Sequence, residues 1–309
     1  MDQIINEIMN KNIGDVKVLP SLSKYTTYKV GGNARLMVYP KNVESLIELM
    51  KIINNNDIKF IVLGNGSNVL FSDDLYEGII IKLDKFDSIS IENDTVTVGA
   101  GYSLIRLSLD CVKKGLAGLE FASGIPGTVG GAVFMNAGAY GSEIKDVIKS
   151  VTVLTDDLEV VTLTKKEMKF KYRESMLQHN RGYICLGATF KLKKGNREEI
   201  EALIKDRKLK RKRTQPLEYP SAGSVFRNPE GLFSGKLIED LGLKGYQIGG
   251  AMISPKHANF IINTGNAKAS DIKDIIDHVK EQAKEKYDLS LRVEQRLINW
   301  SEINEKEKE

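Results

Sequence analysis

Between residues 124 and 141 the chain reads GIPGTVGGAVFMNAGAYG, with six glycines in eighteen residues (Gly124, Gly127, Gly130, Gly131, Gly138, Gly141), where average usage of about 7% gives one or two. Glycine has no side chain to stand in the way, so clustering it beside Pro126 suits a backbone that turns sharply and lets something flat or charged come close. A tight loop crossing beneath a strand would use the same residues. A second loop, Gly64-Asn65-Gly66-Ser67-Asn68, follows the apolar run Phe60-Ile61-Val62-Leu63, which reads as a buried strand. A strand opening into small polar residues points successive backbone N–H groups at one spot, and such nests bind phosphate. Two glycine loops with open amides point to a pyrophosphate held between them. A third feature is basic: seven of the nine residues 205–213 are Lys or Arg. Cations gather near helix C-termini because the macrodipole favours them, and the same run could also meet a diphosphate.

Familiar phosphate motifs fail on spacing. Gly64-Asn65-Gly66-Ser67-Asn68-Val69 lacks the third glycine of a dinucleotide fingerprint. The Gly231 to Lys236 stretch is one residue short of a Walker loop, and Leu237 stands where Ser or Thr would hold magnesium. His179, His257 and His278 are far apart and pair with no Cys or carboxylate at zinc-ligand spacing, so no metal is expected. No Gly-x-Ser-x-Gly elbow surrounds Ser224, which argues against a serine hydrolase.

Six motifs, in order, resemble those of the UDP-N-acetylenolpyruvoylglucosamine reductase family: Thr26-Thr27-Tyr28-Lys29-Val30-Gly31-Gly32, GNGSNVL at 64–70, IPGTVGGAVFMNAGAYG at 125–141, Tyr172-Arg173-Glu174-Ser175, AGSVFRNP at 222–229, and Val293-Glu294-Gln295-Arg296. The resemblance runs from about residue 20 to residue 300. It implies an α+β chain: an FAD-binding fold of two α+β subdomains (PCMH-type), followed by a separate α+β substrate-binding domain. It also implies NADPH as reductant, non-covalent FAD, and reduction of UDP-N-acetylglucosamine enolpyruvate to UDP-N-acetylmuramic acid for peptidoglycan. Covalent flavin is not expected, since neither glycine loop holds His or Cys.

Reducing an enol ether takes a hydride at one carbon and a proton at its neighbour, with cations to hold a carboxylate that accepts charge; the cofactor supplies the hydride and the protein the rest. By resemblance Ser224 is the proton donor, Arg173 contacts the substrate carboxylate, and Glu294 assists protonation. Tyr172, Asn228 and Arg296 match substrate contacts, while Gly64, Asn65, Gly66, Ser67, Asn68, Gly124, Ile125, Pro126, Gly127, Gly130, Gly131, Asn136, Ala137 and Gly138 match the cofactor loops. A turn serine, a surface salt bridge at Arg173 and a cross-strand pair of Glu294 with Arg292 or Arg296 are the ordinary alternatives. One branch of the family carries an inserted tyrosine-bearing lid after the Tyr-Arg motif. Here only residues 174–182 precede the next strand, so the chain resembles the lidless branch.

These residues need elements to hold them. The 309 residues are 41% hydrophobic and 28% charged, with a net charge of +4 too slight to imply a nucleic-acid partner. Domains are expected at 1–86 (with 300–309 as a candidate addition), 87–198 and 199–299. The N-terminus shows no basic leader before an apolar core, no run nears the ~20 apolar residues of a membrane span, and Cys111 and Cys185 read as buried thiols of a reducing compartment, so a cytoplasmic protein is expected; a monomer is expected too, though no residue pattern points to it. Asn42 reads as the cap of a helix carrying Val43, Leu46, Ile47, Met50 and Ile53, and Ser103 as the cap of one carrying Leu104, Leu107, Cys111 and Val112. Hairpins are expected about residues 92–94 and 155–158, with strands at 78–83 and 183–192. Thr164 and Glu167 have capping-box spacing and predict a short helix leading to Tyr172-Arg173. A helix is expected from Arg197 with Ile200, Leu203 and Ile204 on one face, and others from Ser234 and Ser270. Strands are expected at 246–253, 258–263 and 289–299, the last placing Leu291, Val293 and Leu297 opposite Arg292, Glu294 and Arg296. The charged tail SEINEKEKE is expected to fray. Two competing functions share parts of this pattern: a flavin oxidase of the same fold, and a basic module gripping nucleic acid or another anion through 205–213.

Overall fold

A computed structural model describes residues 2–180 and 182–300. The expectations for the 301–309 tail lie outside them. The described residues divide into two compact units: 2–18, 36–65, 78–180 and 182–210 form the first, and 19–35, 66–77 and 211–300 the second.

The first unit holds a mixed four-stranded sheet in the order Gly14–Val18, Ala34–Pro40, Tyr76–Ile81, Phe60–Val62. The helix Val43–Asn55 buries Leu46, Leu49, Met50, Ile52 and Ile53, each contributing about 1.5–3 kcal/mol. Its Asn42 cap accepts the Ser45 N–H at 2.9 Å, as expected. The strand Phe60–Val62 is only three residues long, pairs parallel with Tyr76–Ile81 and forms a sheet edge with Val62 exposed. It is therefore not the fully buried strand its apolar run suggested.

A second sheet in this unit is antiparallel and five-stranded, ordered Val160–Thr164, Ile148–Leu154, Ile184–Lys191, Thr95–Gly99, Ile89–Glu92. Both expected hairpins form: Glu92 faces Thr95 with Asn93 at φ 56°, and Leu154 faces Val160. The helix Leu104–Lys113 starts at Ser103, whose hydroxyl accepts the Arg106 N–H. One apolar core serves both sheets, and it includes the thiol-bearing Cys111 and Cys185. Both thiols are free, and burial pushes each up to about 12.

Thr164 and Glu167 make the reciprocal capping bonds, at 2.7 and 3.3 Å, yet no helix follows. Lys169 turns left-handed at φ 45° and ends the first turn. The long helix Arg197–Thr214 buries only Ile200; Leu203 is exposed, so the expected apolar face is one residue deep.

The second unit packs the helix Ala269–Tyr287 on a small antiparallel sheet ordered Gln247–Ile248, Ala251–Ile253, Ile261–Asn263. Ile272, Ile275, Ile276, Val279 and Ala283 form the helix's buried stripe. Its cap is not Ser270: the helix begins one residue earlier, and the Asp73 carboxylate accepts both the Ala269 and Ser270 N–H groups at 2.9 and 3.0 Å. The helix Ser234–Asp240 likewise takes no cap from Ser234, whose hydroxyl donates to Arg227 O while Asn228 Oδ1 accepts its N–H. The expected strand 289–299 pairs as a ladder only over Arg296–Ile298, parallel to Val69–Phe71, with a single bridge between Val293 and Phe226. Among the described residues no helix is long and apolar enough to cross a membrane.

Candidate active site

The first glycine loop is pinned through three of its carbonyls, those of Gly64, Gly66 and Asn68. Gly64 O accepts from the buried Lys82 ammonium at 2.6 Å, and a methyl group at Gly64 would lie 2.6 Å from Thr128 Oγ1. Asn65 Nδ2 donates to Pro126 O at 3.2 Å, so the two glycine loops touch there. Gly66, at φ 63°, is pressed against the Tyr25 carbonyl, and its own oxygen accepts from the Thr27 N–H and hydroxyl. Asn68 O accepts the Arg296 N–H at 3.0 Å while its Nδ2 donates to Glu294 O. The backbone N–H groups of residues 65–68, among the described residues, donate to no protein acceptor. Carbonyls held and amides left over are what a phosphate requires, so this loop fits a dinucleotide.

The second loop is built differently. Gly127, Gly130 and Gly131 donate their N–H groups to Ile125 O, Ala100 O and Thr128 Oγ1. A methyl at Gly130 would lie 3.0 Å from Ala100 Cβ, and one at Gly138 would lie 2.5 Å from Ser142 O. Here glycine serves close packing of the backbone rather than a row of open donors. Asn136, fully buried at φ 41°, donates to the Glu143 carboxylate and to Lys171 O, and accepts the Lys145 N–H. Its amide organises the turn. Gly124 ends the short helix Glu120–Gly124, Ile125 and Pro126 follow it, and Ala137 donates back to Ala132 O.

Arg173 sits at a turn closed by reciprocal backbone bonds between Lys171 and Glu174, and takes φ 57°. Its Nη2 donates to Gly138 O at 3.0 Å, and its guanidinium lies 4.9 Å from the centre of the exposed Tyr172 ring. Ser175 and Gln178 brace the turn by donating to Phe134 O. The first unit thus brings Arg173 and Tyr172 to the second glycine loop. Beyond them, among the described residues, comes only the three-residue helix Met176–Gln178 before the strand Ile184–Lys191.

The second unit gathers Ser224, Asn228, Glu294 and Arg296. Gly223 takes φ 74°, and Ser224 follows it. Val225 then donates to Asn259 O at 2.9 Å and accepts the Glu294 N–H at 2.8 Å. Glu294 therefore lies backbone to backbone beside the residue after Ser224. Asn228 Oδ1 accepts the Ser234 N–H, and Arg296 heads the strand paired with Val69.

Comparison with known proteins decides what this arrangement belongs to. The chain is 46% identical over 299 residues to the UDP-N-acetylenolpyruvoylglucosamine reductase of Anoxybacillus flavithermus, covering 96% of this chain and 99% of that one. It belongs to the UDP-N-acetylenolpyruvoylglucosamine reductase family. The reductases of Halalkalibacterium halodurans and Bacillus subtilis match over the same 96% of this chain and 99% of theirs, at 47% and 44% identity. Residues 215–298 match the family's C-terminal domain, and residues 34–164 match the FAD binding domain family. The crystal structure of the reductase from Thermus caldophilus superposes with a TM-score of 0.79 at 35% identity, covering 92% of this chain and 98% of that one. The PCMH-type FAD-binding fold followed by a C-terminal domain is thus the fold of this reductase.

Two contributors escaped the reading of the sequence. Lys82 is apolar in its surroundings and charged at its tip, and only the folded chain shows its ammonium at Gly64. Gln295 could have been found by parity: it shares the alternation that buries Leu291, and a polar side chain on a buried face needs partners.

Proposed function

We propose that this chain catalyses the NADPH-dependent, FAD-mediated reduction of UDP-N-acetylglucosamine enolpyruvate to UDP-N-acetylmuramic acid in peptidoglycan precursor synthesis. The match to reductases of that name over 96% of the chain carries the proposal. Bound FAD would supply the hydride. The N–H groups of Asn65, Gly66, Ser67 and Asn68 are the donors suited to its pyrophosphate, and Gly64, Gly124, Gly127, Gly130, Gly131 and Gly138, with Ile125, Pro126, Asn136 and Ala137, shape the two loops that would line it.

Ser224 Oγ gives the proton to the carbon next to the one that receives hydride. Acid catalysis of this kind is worth ~10²–10⁴ in rate when the group is positioned. Arg173 holds the substrate carboxylate, where charge develops, and Glu294 assists protonation. Tyr172, Asn228 and Arg296 contact substrate, and the basic residues of 205–213 meet its diphosphate. We take the two sheets of the first unit as the expected subdomains 1–86 and 87–198, and 199–299 as the substrate domain. The enzyme acts as a cytoplasmic monomer on small molecules, without nucleic acid.

The test follows the two half-reactions of purified holoenzyme by flavin absorbance. Ser224→Ala leaves flavin reduction by NADPH nearly intact and slows reoxidation by the enolpyruvyl sugar nucleotide by about 10²-fold or more. Equal loss in both halves removes Ser224 from the acid role. Rapid reoxidation by oxygen with no stimulation by the sugar nucleotide identifies an oxidase instead.

A further inference from the structure

The segment Thr26-Thr27-Tyr28-Lys29-Val30 has no part in the mechanism above, yet its tyrosine is among the largest fully buried side chains. Thr26 Oγ1 donates to Val30 O at 2.9 Å and Lys29 turns left-handed at φ 59°, closing a small loop. Asn263 Nδ2 donates to Tyr28 O at 3.0 Å and holds the loop's centre. The Tyr28 hydroxyl then donates to Gln295 Oε1 at 3.0 Å.

That one bond fixes which way the Gln295 amide faces. With Oε1 on the tyrosine, Nε2 faces three successive carbonyls, Ala222 O at 3.2 Å, Gly223 O at 3.4 Å and Ser224 O at 3.5 Å. Three consecutive carbonyls converge on one NH₂ group only if the chain curls around it, which the left-handed Gly223 permits. Without the amide the three oxygens would repel one another, and the buried Ala222 O would be left without a donor.

Downstream of Ser224 the chain is held by a ladder. Val225 and Phe226 donate to Asn259 O and Oδ1, Asn259 Nδ2 donates back to Phe226 O, and Glu294 donates to Val225 O, all at 2.8–2.9 Å. Upstream, and at the Ser224 carbonyl itself, the hydrogen bonds to residues 222–224 come from Gln295. The orientation of the peptides on either side of Ser224 is thus set by the side chain next in sequence to Glu294.

We infer that Gln295, locked in one orientation by the Tyr28 hydroxyl, is a positioning residue that aims Ser224 for proton transfer. The inference rests on the reading of Ser224 as the acid. Misplacing a reacting group by about 1 Å costs about 10²-fold in rate, so small rotations of these peptides matter. A role limited to packing would lower stability and change both half-reactions alike.

Gln295→Leu keeps the volume and removes the amide. Reoxidation by the enolpyruvyl sugar nucleotide is expected to slow ~10- to 100-fold, with a raised solvent isotope effect, while reduction by NADPH stays within about twofold. Tyr28→Phe is expected to slow the same step by a smaller factor, and the double variant to be no slower than Gln295→Leu alone, because both act through one amide. Should Gln295→Leu fail to fold, the split between half-reactions in Tyr28→Phe decides alone. Unchanged reoxidation, or equal slowing of both halves, overturns the positioning role. Ser224→Ala runs in parallel: if it slows reoxidation while Gln295→Leu and Tyr28→Phe do not, the acid stands and the positioning role falls. If Ser224→Ala leaves reoxidation unchanged, both fall.

Discussion

The Lys82 ammonium donates to the Gly64 carbonyl at 2.6 Å and lies 3.2 Å from the Asp84 carboxylate, with its side chain only 8% exposed. A buried ammonium is tolerated only when its protons are taken up, so the lysine and the glycine loop hold each other. Lys82→Met leaves Gly64 O without its donor, a loss of about 1–3 kcal/mol. Because the held carbonyls keep the loop's N–H groups outward, flavin affinity is expected to fall about tenfold. Titration of deflavinated enzyme with FAD measures it. An unchanged dissociation constant would separate Lys82 from the cofactor loop.

Two left-handed glycines make a matched pair. Gly66 is at φ 63° with the Tyr25 carbonyl against it, whereas Gly141 is at φ 78° with open space around it. The left-handed backbone costs a side chain about 1–2 kcal/mol at either position. At Gly66 the methyl must also displace backbone, adding about 1–3 kcal/mol. Urea unfolding should therefore show Gly66→Ala less stable than Gly141→Ala, with flavin lost from the first variant only. Equal destabilisation would mean the Tyr25 segment yields freely.

Local grammar was legible where one side chain acts on its own neighbourhood. The Asn42 and Ser103 caps and both tight hairpins formed as read, since each depends on residues within a few positions. Asp73 capping a helix 196 residues away, or Tyr28 meeting Gln295 across 267, leaves no local trace. Thr164 and Glu167 show the opposite failure: the capping bonds are present, but a left-handed Lys169 stops the helix they announce. At the site, the glycine loops were visible by composition. Which of them keeps its amides open was not, because Ala100 O claims that of Gly130 across 30 residues, a contact made only in the folded chain.

Arg173 joins a guanidinium to Gly138 O and to the face of Tyr172. A lysine there keeps the charge but loses the planar fork that serves both contacts. Arg173→Lys is expected to slow reoxidation by substrate about 10²-fold and to change NADPH-driven reduction much less, with stability within about 1 kcal/mol. Stopped-flow absorbance separates the halves. Equal effects on both would assign Arg173 to the turn alone.

His257 provides a test by pH. Its ring packs 4.7 Å from that of Phe260, and Nδ1 accepts the Asn259 N–H at 3.2 Å, which requires the neutral ring with its proton on Nε2. Burial, and after it the charge of Lys244, holds its pKa below the ordinary 6.5, against opposing contributions from its own backbone and from Glu239. Below 6.5 the unfolded chain binds a proton that the folded chain resists, so stability is full above that value and declines as pH falls towards the lowered one. His257→Asn keeps an acceptor for the Asn259 N–H but cannot titrate. Between about pH 7.5 and about pH 5.5, where an unperturbed imidazole takes up its charge, the wild type should lose more stability than the variant, and the two unfolding curves should converge or cross. Asn259 clamps Phe226, two residues from Ser224, so protonating His257 loosens the brace behind the proposed acid. Parallel stability profiles for the two proteins would show that His257 stays neutral or exchanges its proton without strain, and would remove it from the acid sensitivity of this unit.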